Sequence, residues 1–421
     1  MKYLWVWVFL GLSTTLVACS GDDHPPPLAA FHALPECPTL DYSTCDTRQA
    51  ACQTRLLSIA GCVYGVRETP DVPIRVVSEQ QLIDDLAAAQ SEAPDQQDAA
   101  DLPHIERALA DLKLLRAGDL TADGGSTAQI ADSIDGVYQD AEHGIALVDR
   151  GMPKDSAESD AVLVHEFVHA IQDAQYGLDD WRHQYAGDVD TALALRSVSE
   201  GQATYAQFRV VFAMSGRDVD RIDWPRTLSA FRDDLSGKAF ADPSPYLASI
   251  TTFPYALGTP LAHQRWEADG LTYHQGQFAD PPLSTFEVLA LNYGVSPAVR
   301  DTVQLAAPTP DADYTDVDET VLGAFMLELC THALGASIED ATAFGFGWYG
   351  DKLWIYAGPQ QETVWLWELA LSSDSQAKSV EKLAATAGLA VESQGSRVFV
   401  SGGDAKPDFV TSAGRAFLAG P

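Results

Sequence analysis

Positive charge is the scarcest feature of this 421-residue sequence: 26 lysines and arginines stand against 60 aspartates and glutamates, for a formal net charge of −34. Proteins that bind nucleic acids or anionic membrane surfaces do so through clustered lysine and arginine. The composition therefore argues against nucleic acid as a partner. The acidic residues are scattered rather than gathered in blocks, which indicates a well-solvated surface and says little about a substrate.

Long apolar runs are scarce as well. Residues 4–12 form one, after Lys2, but it is too short to span a bilayer, so residues 1–18 predict an export signal. The signal ends in Leu16-Val-Ala-Cys19, which resembles a bacterial lipobox and implies a membrane anchor through lipid on Cys19. Ser20 rather than Asp follows the cysteine, and by the same resemblance we expect an outer-membrane lipoprotein that faces the periplasm or the cell surface. An ordinary signal and a secreted protein are the alternative.

Cysteine is also scarce, with six residues in the chain. Four fall in the segment 37–66, and an even number in an exported chain predicts two disulfides with three possible pairings: Cys37, Cys45, Cys52 and Cys62. A metal knuckle is the alternative, although the paired CxxC spacing of a zinc ribbon is lacking. Residues 19–36 have the composition of an extended tether. Cys330 lies among apolar residues, which predicts a buried thiol.

The richest chemical pattern is His165-Glu-Phe-Val-His169, an HExxH motif within a helical pattern. At 3.6 residues per turn the two histidines lie one above the other and can bind one ion. Glu166 is placed to take a proton from a water molecule held by that ion. The motif predicts two zinc ligands and the general base of a hydrolase. An amphipathic core helix with hydrogen-bonded histidines is the alternative.

A catalytic zinc ion needs a third protein ligand, and Glu200 is the best candidate. It lies in a second helical pattern over residues 190–205, beyond a predicted loop at 176–187 that turns the chain back. Gly201 predicts a close approach between two helices. Asp188 and Asp190 are rivals, but their place at the helix start is explained by capping and by the helix dipole.

Other segments predict an α+β fold. We expect a strand at 74–77, helices at about 79–90 and 105–115, and a hairpin within 134–148 that shortly precedes the motif helix. After Cys330, aromatic and β-branched runs at 347–356 and 362–368 predict a hairpin, followed by a helix at 374–387 and a strand at 397–400. This C-terminal ββαβ segment can recognise a substrate through Trp354, Trp365 and Trp367, although alternating aromatics favour a sheet core.

The order of strand, HExxH helix and Ser199-Glu-Gly-Gln-Ala-Thr204 is similar to that of gluzincins, zinc peptidases in which a glutamate from a following helix completes the site. It also resembles poorly characterised bacterial zincin-like lipoproteins, in which a Tyr-Gly-rich helix and a Pro-Pro segment follow. Residues 253–258 and 278–288 occupy those places here. The resemblance covers about 74–371 and implies Zn²⁺ at His165, His169 and Glu200.

The chain departs from the gluzincin pattern at Thr204, where many members have an aspartate that orients a zinc histidine. The residues that replace this aspartate stay open among three carboxylates: Asp173, Asp188 and Asp190. The donor to the oxyanion of the attacked carbonyl also stays open among three side chains: Tyr255, His263 and Tyr205.

We therefore expect an α+β protein with a mainly helical, zincin-like catalytic domain at 67–335, a small sheet beside the HExxH helix, and an α/β segment at 336–421. The expected function is that of a zinc metallopeptidase acting on peptides or proteins, with Glu166 as the catalytic base. The alternative is a catalytically silent zincin fold that serves as a surface binding or assembly module.

Overall fold

The computed structural model describes residues 31–92, 96–120, 134–151, 156–185, 187–295, 305 and 307–419. The expected signal, the lipid on Cys19 and residues 19–30 of the expected tether lie outside these ranges. Within them, no helix combines the length and the apolar character that a membrane crossing requires.

The cysteine segment is built around helix α1, Ala50–Tyr64. Of the three pairings left open, the structure has Cys37–Cys62 and Cys45–Cys52. The residues just before this segment also pack against the body of the protein, because Leu34 is fully buried and Glu36 forms an ion pair with Arg209, at 2.7 Å between Oε1 and Nη1. The end of the segment assigned to the tether is thus held in place.

A small three-stranded sheet follows. Its strands are β1 (Ile74–Val77), β2 (Gly136–Gln139) and β3 (Gly144–Val148), in the order β1-β3-β2. The predicted hairpin is confirmed, since β2 and β3 pair antiparallel, and β1 adds to β3 in parallel. Helices α2 (Glu79–Glu92) and α3 (Gln96–Asp111) lie between β1 and β2 in the chain. Because β3 is the central strand, β2 lies at an edge of this sheet.

A group of helices carries the motif and the sequence after it. They are α4 (Ala157–Tyr176), α5 (Leu178–Tyr185), α6 (Val189–Met214), α7 (Trp224–Ala241), α8 (Pro245–Asp269), α9 (Tyr273–Ala279) and α10 (Thr285–Asn292). Helix α6 packs against both α4 and α8, and α1 packs against α4. Helix α4 also contacts β2, so the three-stranded sheet is joined to a helical layer in which α6 is central.

The segment between α4 and α6 is helical, not the loop that we predicted. Acidic residues occupy the first turn of α5 and basic residues the last, an arrangement that the helix dipole stabilises. Leu178 and Trp181 are buried, and the Trp181 indole donates to the carbonyl of Phe278 at 3.0 Å. Tertiary packing thus gives a helix where glycine and charged residues suggested a loop.

The C-terminal part is organised on a five-stranded antiparallel sheet in the order β4-β5-β6-β8-β7. Its strands are β4 (Thr315–Thr320), β5 (Trp348–Ala357), β6 (Thr363–Leu371), β7 (Ala390–Gln394) and β8 (Arg397–Gly403). Its helices are α11 (Gly323–Ala333), α12 (Ile338–Phe346), α13 (Asp374–Thr386) and α14 (Asp408–Ala419).

The α+β class is confirmed, and the expected ββαβ order is present as β5, β6, α13 and β8. Strands β4 and β7 and helix α14 extend it. Both added strands lie at sheet edges, where few side chains are buried and the alternation of apolar residues is weak. The tryptophans of β5 and β6 are core residues as favoured, since Trp365 and Trp367 are at most 1% exposed. Cys330 is buried as predicted.

Candidate metal centre

The motif helix α4 begins and ends with conventional capping. The Ser156 side chain accepts from the backbone N–H of Ser159, and Gly177 closes the helix in the left-handed conformation. Its interior is buried on every side, from Asp160 to Gln172. The helix is thus enclosed by its neighbours, and its polar motif residues point into protein.

Three side chains converge as the sequence predicts. The Nε2 atoms of His165 and His169 are 3.0 Å apart, and Glu200 Oε2 lies 3.4 and 3.3 Å from them. Zinc bonds of 2.0–2.2 Å in a tetrahedral arrangement require about 3.3–3.5 Å between ligand atoms. The two distances from Glu200 lie in this range and the distance between the imidazoles is slightly shorter, so His165, His169 and Glu200 are close to the spacing of a metal triad.

Burial supplies a second reason to assign a cation to this triad. His165 is 2% exposed, and His169 and Glu200 are fully buried. Within the described chain no hydrogen bond satisfies Glu200 Oε2, and a buried carboxylate oxygen without a partner is costly. Arg196 Nη2 lies 3.5 Å from the other oxygen, Oε1. An ion at the triad would satisfy Oε2, so the donor set fits Zn²⁺.

The electrostatics of the triad follow from its burial. Burial lowers the pKa of His169, which keeps the ring neutral as a metal ligand must be. Arg196 Nη2, 3.5 Å from Oε1, favours the charged form of the Glu200 carboxyl, so this side chain is the anionic ligand of the triad.

Glu166 lies at the same place, next to the small sheet. Its side chain is fully buried, and Oε2 accepts a hydrogen bond from the backbone N–H of Tyr138, at 2.7 Å, on the edge strand β2. Its other oxygen, Oε1, has no hydrogen-bond partner among the described residues. Burial and, second, the charge of Glu200 raise the pKa of Glu166 well above its usual range. A bound divalent cation would favour the ionised form.

Of the three proposed oxyanion donors, Tyr255 is the one with a described contact to a triad residue. Its ring stacks against the His165 ring, with centroids 6.2 Å apart. Burial and, second, the charge of Glu200 raise the pKa of its phenol well above the usual range, so the hydroxyl keeps its proton. His263 and Tyr205 instead contact each other, at 3.1 Å between Nδ1 and the hydroxyl.

The proposed carboxylate partners of the histidines are not the ones found. His169 Nδ1 lies 2.9 Å from Gln172 Oε1, so an amide one turn along the same helix takes this place. Asp173 contacts Tyr138 and caps α5 through the N–H of Leu178. The sequence contained a signal for Gln172, because position i+3 on a helix faces the same side as its partner.

Asp188 and Asp190 have structural partners outside the triad. Asp188 is the N-cap of α6 and accepts from Thr191, as the capping argument predicted. Asp190 is buried and accepts from the backbone N–H of Thr285, at 2.8 Å, and from its hydroxyl. Asp190 thus joins α6 to α10, which is more than the helix-dipole role expected for it.

Comparisons of the chain with protein-family models, with curated proteins and with solved structures found no match.

Proposed function

We propose that the chain is a metal-dependent hydrolase that uses Zn²⁺ at His165, His169 and Glu200 and acts on peptides or proteins. The observation that carries the proposal is a buried triad of ligand spacing with the carboxyl of Glu166 directly beside it. A metal site that only holds the fold together does not require an acid in this position. The resemblance of the motifs to those of gluzincins supports the same reaction.

The roles of the chain's own residues follow from their contacts. Zinc, when bound, lowers the pKa of water and polarises a carbonyl group. The Tyr138 N–H holds one oxygen of Glu166, which leaves Oε1 to accept the proton of the attacking water. Tyr255, protonated and next to Glu200, is the donor of choice for the oxyanion that forms at the attacked carbonyl.

A peptide substrate is supported by the position of β2. This strand has one hydrogen-bonded neighbour, β3, in the described sheet, and its other side faces Glu166 through Tyr138. An extended peptide can bind such an edge through its main chain. The peptide bond would then run beside the base.

The burial of the site favours a second candidate. No triad residue is more than 2% exposed, so in this conformation the centre is closed to a polypeptide. In the second candidate the ion is structural and the chain is a catalytically silent zincin fold that binds or assembles at a surface. The two candidates agree on the metal and differ on the role of Glu166.

The variant Glu166→Gln tests the choice, because it removes the base and keeps every ligand. The purified protein would be analysed for zinc and incubated with a broad peptide library, with cleavage followed by mass spectrometry. We expect wild-type cleavage, a zinc content that the variant retains, and a turnover lowered by roughly two to four orders of magnitude. Glu328→Gln, a buried glutamate on α11 outside the triad, is the matched control and keeps its activity. Cleavage that is equal in both variants excludes the mechanism, and a zinc protein without cleavage favours the silent module.

A further inference from the structure

A chain of buried hydrogen bonds begins at His169 Nδ1, the ring nitrogen that does not face the other ligands. Gln172 Oε1 lies 2.9 Å from His169 Nδ1, and the amide nitrogen of Gln172 donates to the backbone carbonyl of Ser199 at 3.1 Å. Ser199 immediately precedes Glu200 on α6. One glutamine side chain therefore connects two of the three candidate ligands.

The carbonyl oxygen of Ser199 determines which atoms of this chain donate and which accept. The carbonyl oxygen of Ser199 can only accept, so the atom of Gln172 that faces it must be the NH₂ group. The Oε1 atom of Gln172 then faces His169, and because an amide oxygen only accepts, Nδ1 of His169 must carry the proton. In a neutral imidazole the other nitrogen then has no proton and carries a lone pair. That nitrogen, Nε2, is the one directed at His165 and Glu200.

The chain continues to the cysteine segment. Gln202 Oε1 accepts from the Gln172 amide at 3.2 Å and from the Tyr64 hydroxyl at 2.6 Å, while its own amide donates to Gln277 Oε1 at 2.9 Å. Gln172, Gln202 and Tyr64 are fully buried. Water therefore does not compete for these groups, and each amide is held in one orientation.

We propose that Gln172, Gln202 and Tyr64 are positioning residues that keep His169 in the Nδ1–H tautomer, with the lone pair of Nε2 directed at the metal site. Tyr64 ends α1, two residues after Cys62, which is bonded to Cys37. The disulfide-bonded segment 37–66 thus contributes an outer layer of the metal centre. The inference rests on the metal site of the proposed function but not on peptidase activity.

Zinc affinity is the first readout. In competition with a chelator we expect Gln172→Met to bind zinc roughly 10–100-fold more weakly than wild type, the usual effect of removing a partner of a ligand histidine. Tyr64→Phe removes one oxygen atom from the far end of the chain, and we expect a smaller loss in the same direction. The matched control is Tyr273→Phe, which alters a buried ring packed against Tyr64, with centroids 6.0 Å apart, whose hydroxyl is not part of the chain. The control keeps wild-type affinity.

The tautomer of His169 is the second readout, from the ¹⁵N shifts of its ring in the metal-free protein. We expect the Nδ1–H form in wild type and in Tyr273→Phe, and a mixture of tautomers in Gln172→Met. If the tautomer of His169 is unchanged in Gln172→Met, the proposed role of Gln172 is wrong. If the zinc affinity is unchanged in Tyr64→Phe, the proposed role of Tyr64 is wrong. Neither result would remove the metal site. If the wild type binds no zinc, the proposed function fails, and the ring shifts alone decide the role of Gln172.

Discussion

Gly201, the residue after Glu200, lies against Gly258 of α8 so closely that a Cβ built on Gly201 would stand 2.2 Å from the Gly258 carbonyl carbon. The predicted close approach of two helices is thus confirmed, and the partner helix is α8. This contact fixes the distance between the helix that carries Glu200 and the helix that carries Tyr255. The geometry of the candidate centre depends on two residues that have no side chain.

Gly201→Ala should therefore damage both the fold and the metal site. The added methyl group meets backbone, which cannot move away cheaply, so we expect a loss of about 1–3 kcal/mol or more in the free energy of unfolding, with weaker zinc binding. Denaturant unfolding and chelator competition measure the two effects. Gly237→Ala on α7 is the control, because nothing lies within 4 Å of its added Cβ. That variant should gain about 0.5–1 kcal/mol from helix propensity, and equal behaviour of the two variants would refute the packing argument.

Glu200→Gln should strip zinc from a folded protein. The substitution keeps the size of the side chain and removes the anionic oxygen that lies 3.3 and 3.4 Å from the two imidazoles. We expect metal analysis after dialysis to find no tightly bound zinc. Asp188→Ala is the control for an acidic residue on the same helix, and it should keep its zinc while losing about 1 kcal/mol of stability with the N-cap. A full equivalent of zinc in Glu200→Gln would remove Glu200 from the site.

Peptide mapping without reduction should find the pairs Cys37–Cys62 and Cys45–Cys52. Their Cα atoms are 6.1 and 5.7 Å apart, within the usual range for disulfides. The expected result is two cross-linked peptide species with these partners and no other pairing. Free thiols at Cys45 and Cys52 together with bound zinc would instead support a metal knuckle, because Asp160 lies next to this pair.

The free energy of unfolding should depend on pH through the buried carboxyl of Glu368, on strand β6 of the five-stranded sheet. Burial raises the pKa of Glu368 to about 8, against the opposing charge of Arg397. Between the usual value of 4.5 and about 8 the folded state then holds a proton that the unfolded state has lost, so stability falls as pH rises through this window. Glu368→Gln removes the titration. The Tm of the variant minus the Tm of wild type should therefore be larger at pH 8.5 than at pH 5, by at least about 2 °C.

The exposed Glu142 supplies the control for that experiment, since Glu142→Gln changes the same type of residue in solvent. Its Tm should follow the wild type across the pH range. A Tm difference between Glu368→Gln and wild type that stays constant with pH would contradict the raised pKa of Glu368.

Much of the local structure could be predicted from the sequence. The hairpin before α4 and the order of β5, β6, α13 and β8 follow from short-range alternation and turn residues. Helix α5 and strand β7 could not be found in this way. Leu178 and Trp181 are helical because the surrounding protein buries them, and the residues of β7 form a strand because β8 supplies their hydrogen bonds.

The sequence by itself determined that His165 and His169 share one face of a helix, with Glu166 directly after the first of them, because the period of an α-helix places residues i and i+4 on one face whatever the rest of the chain does. It could propose Glu200 but not exclude other carboxylates by geometry. The meeting of Glu200 with both histidines, the orientation of His169 by Gln172, and the presence of Tyr255 rather than His263 at the centre were decided by tertiary structure alone. Periodicity encodes which side chains share a face, whereas the pairing of faces depends on long-range packing, here the contact of α6 with α4 and α8.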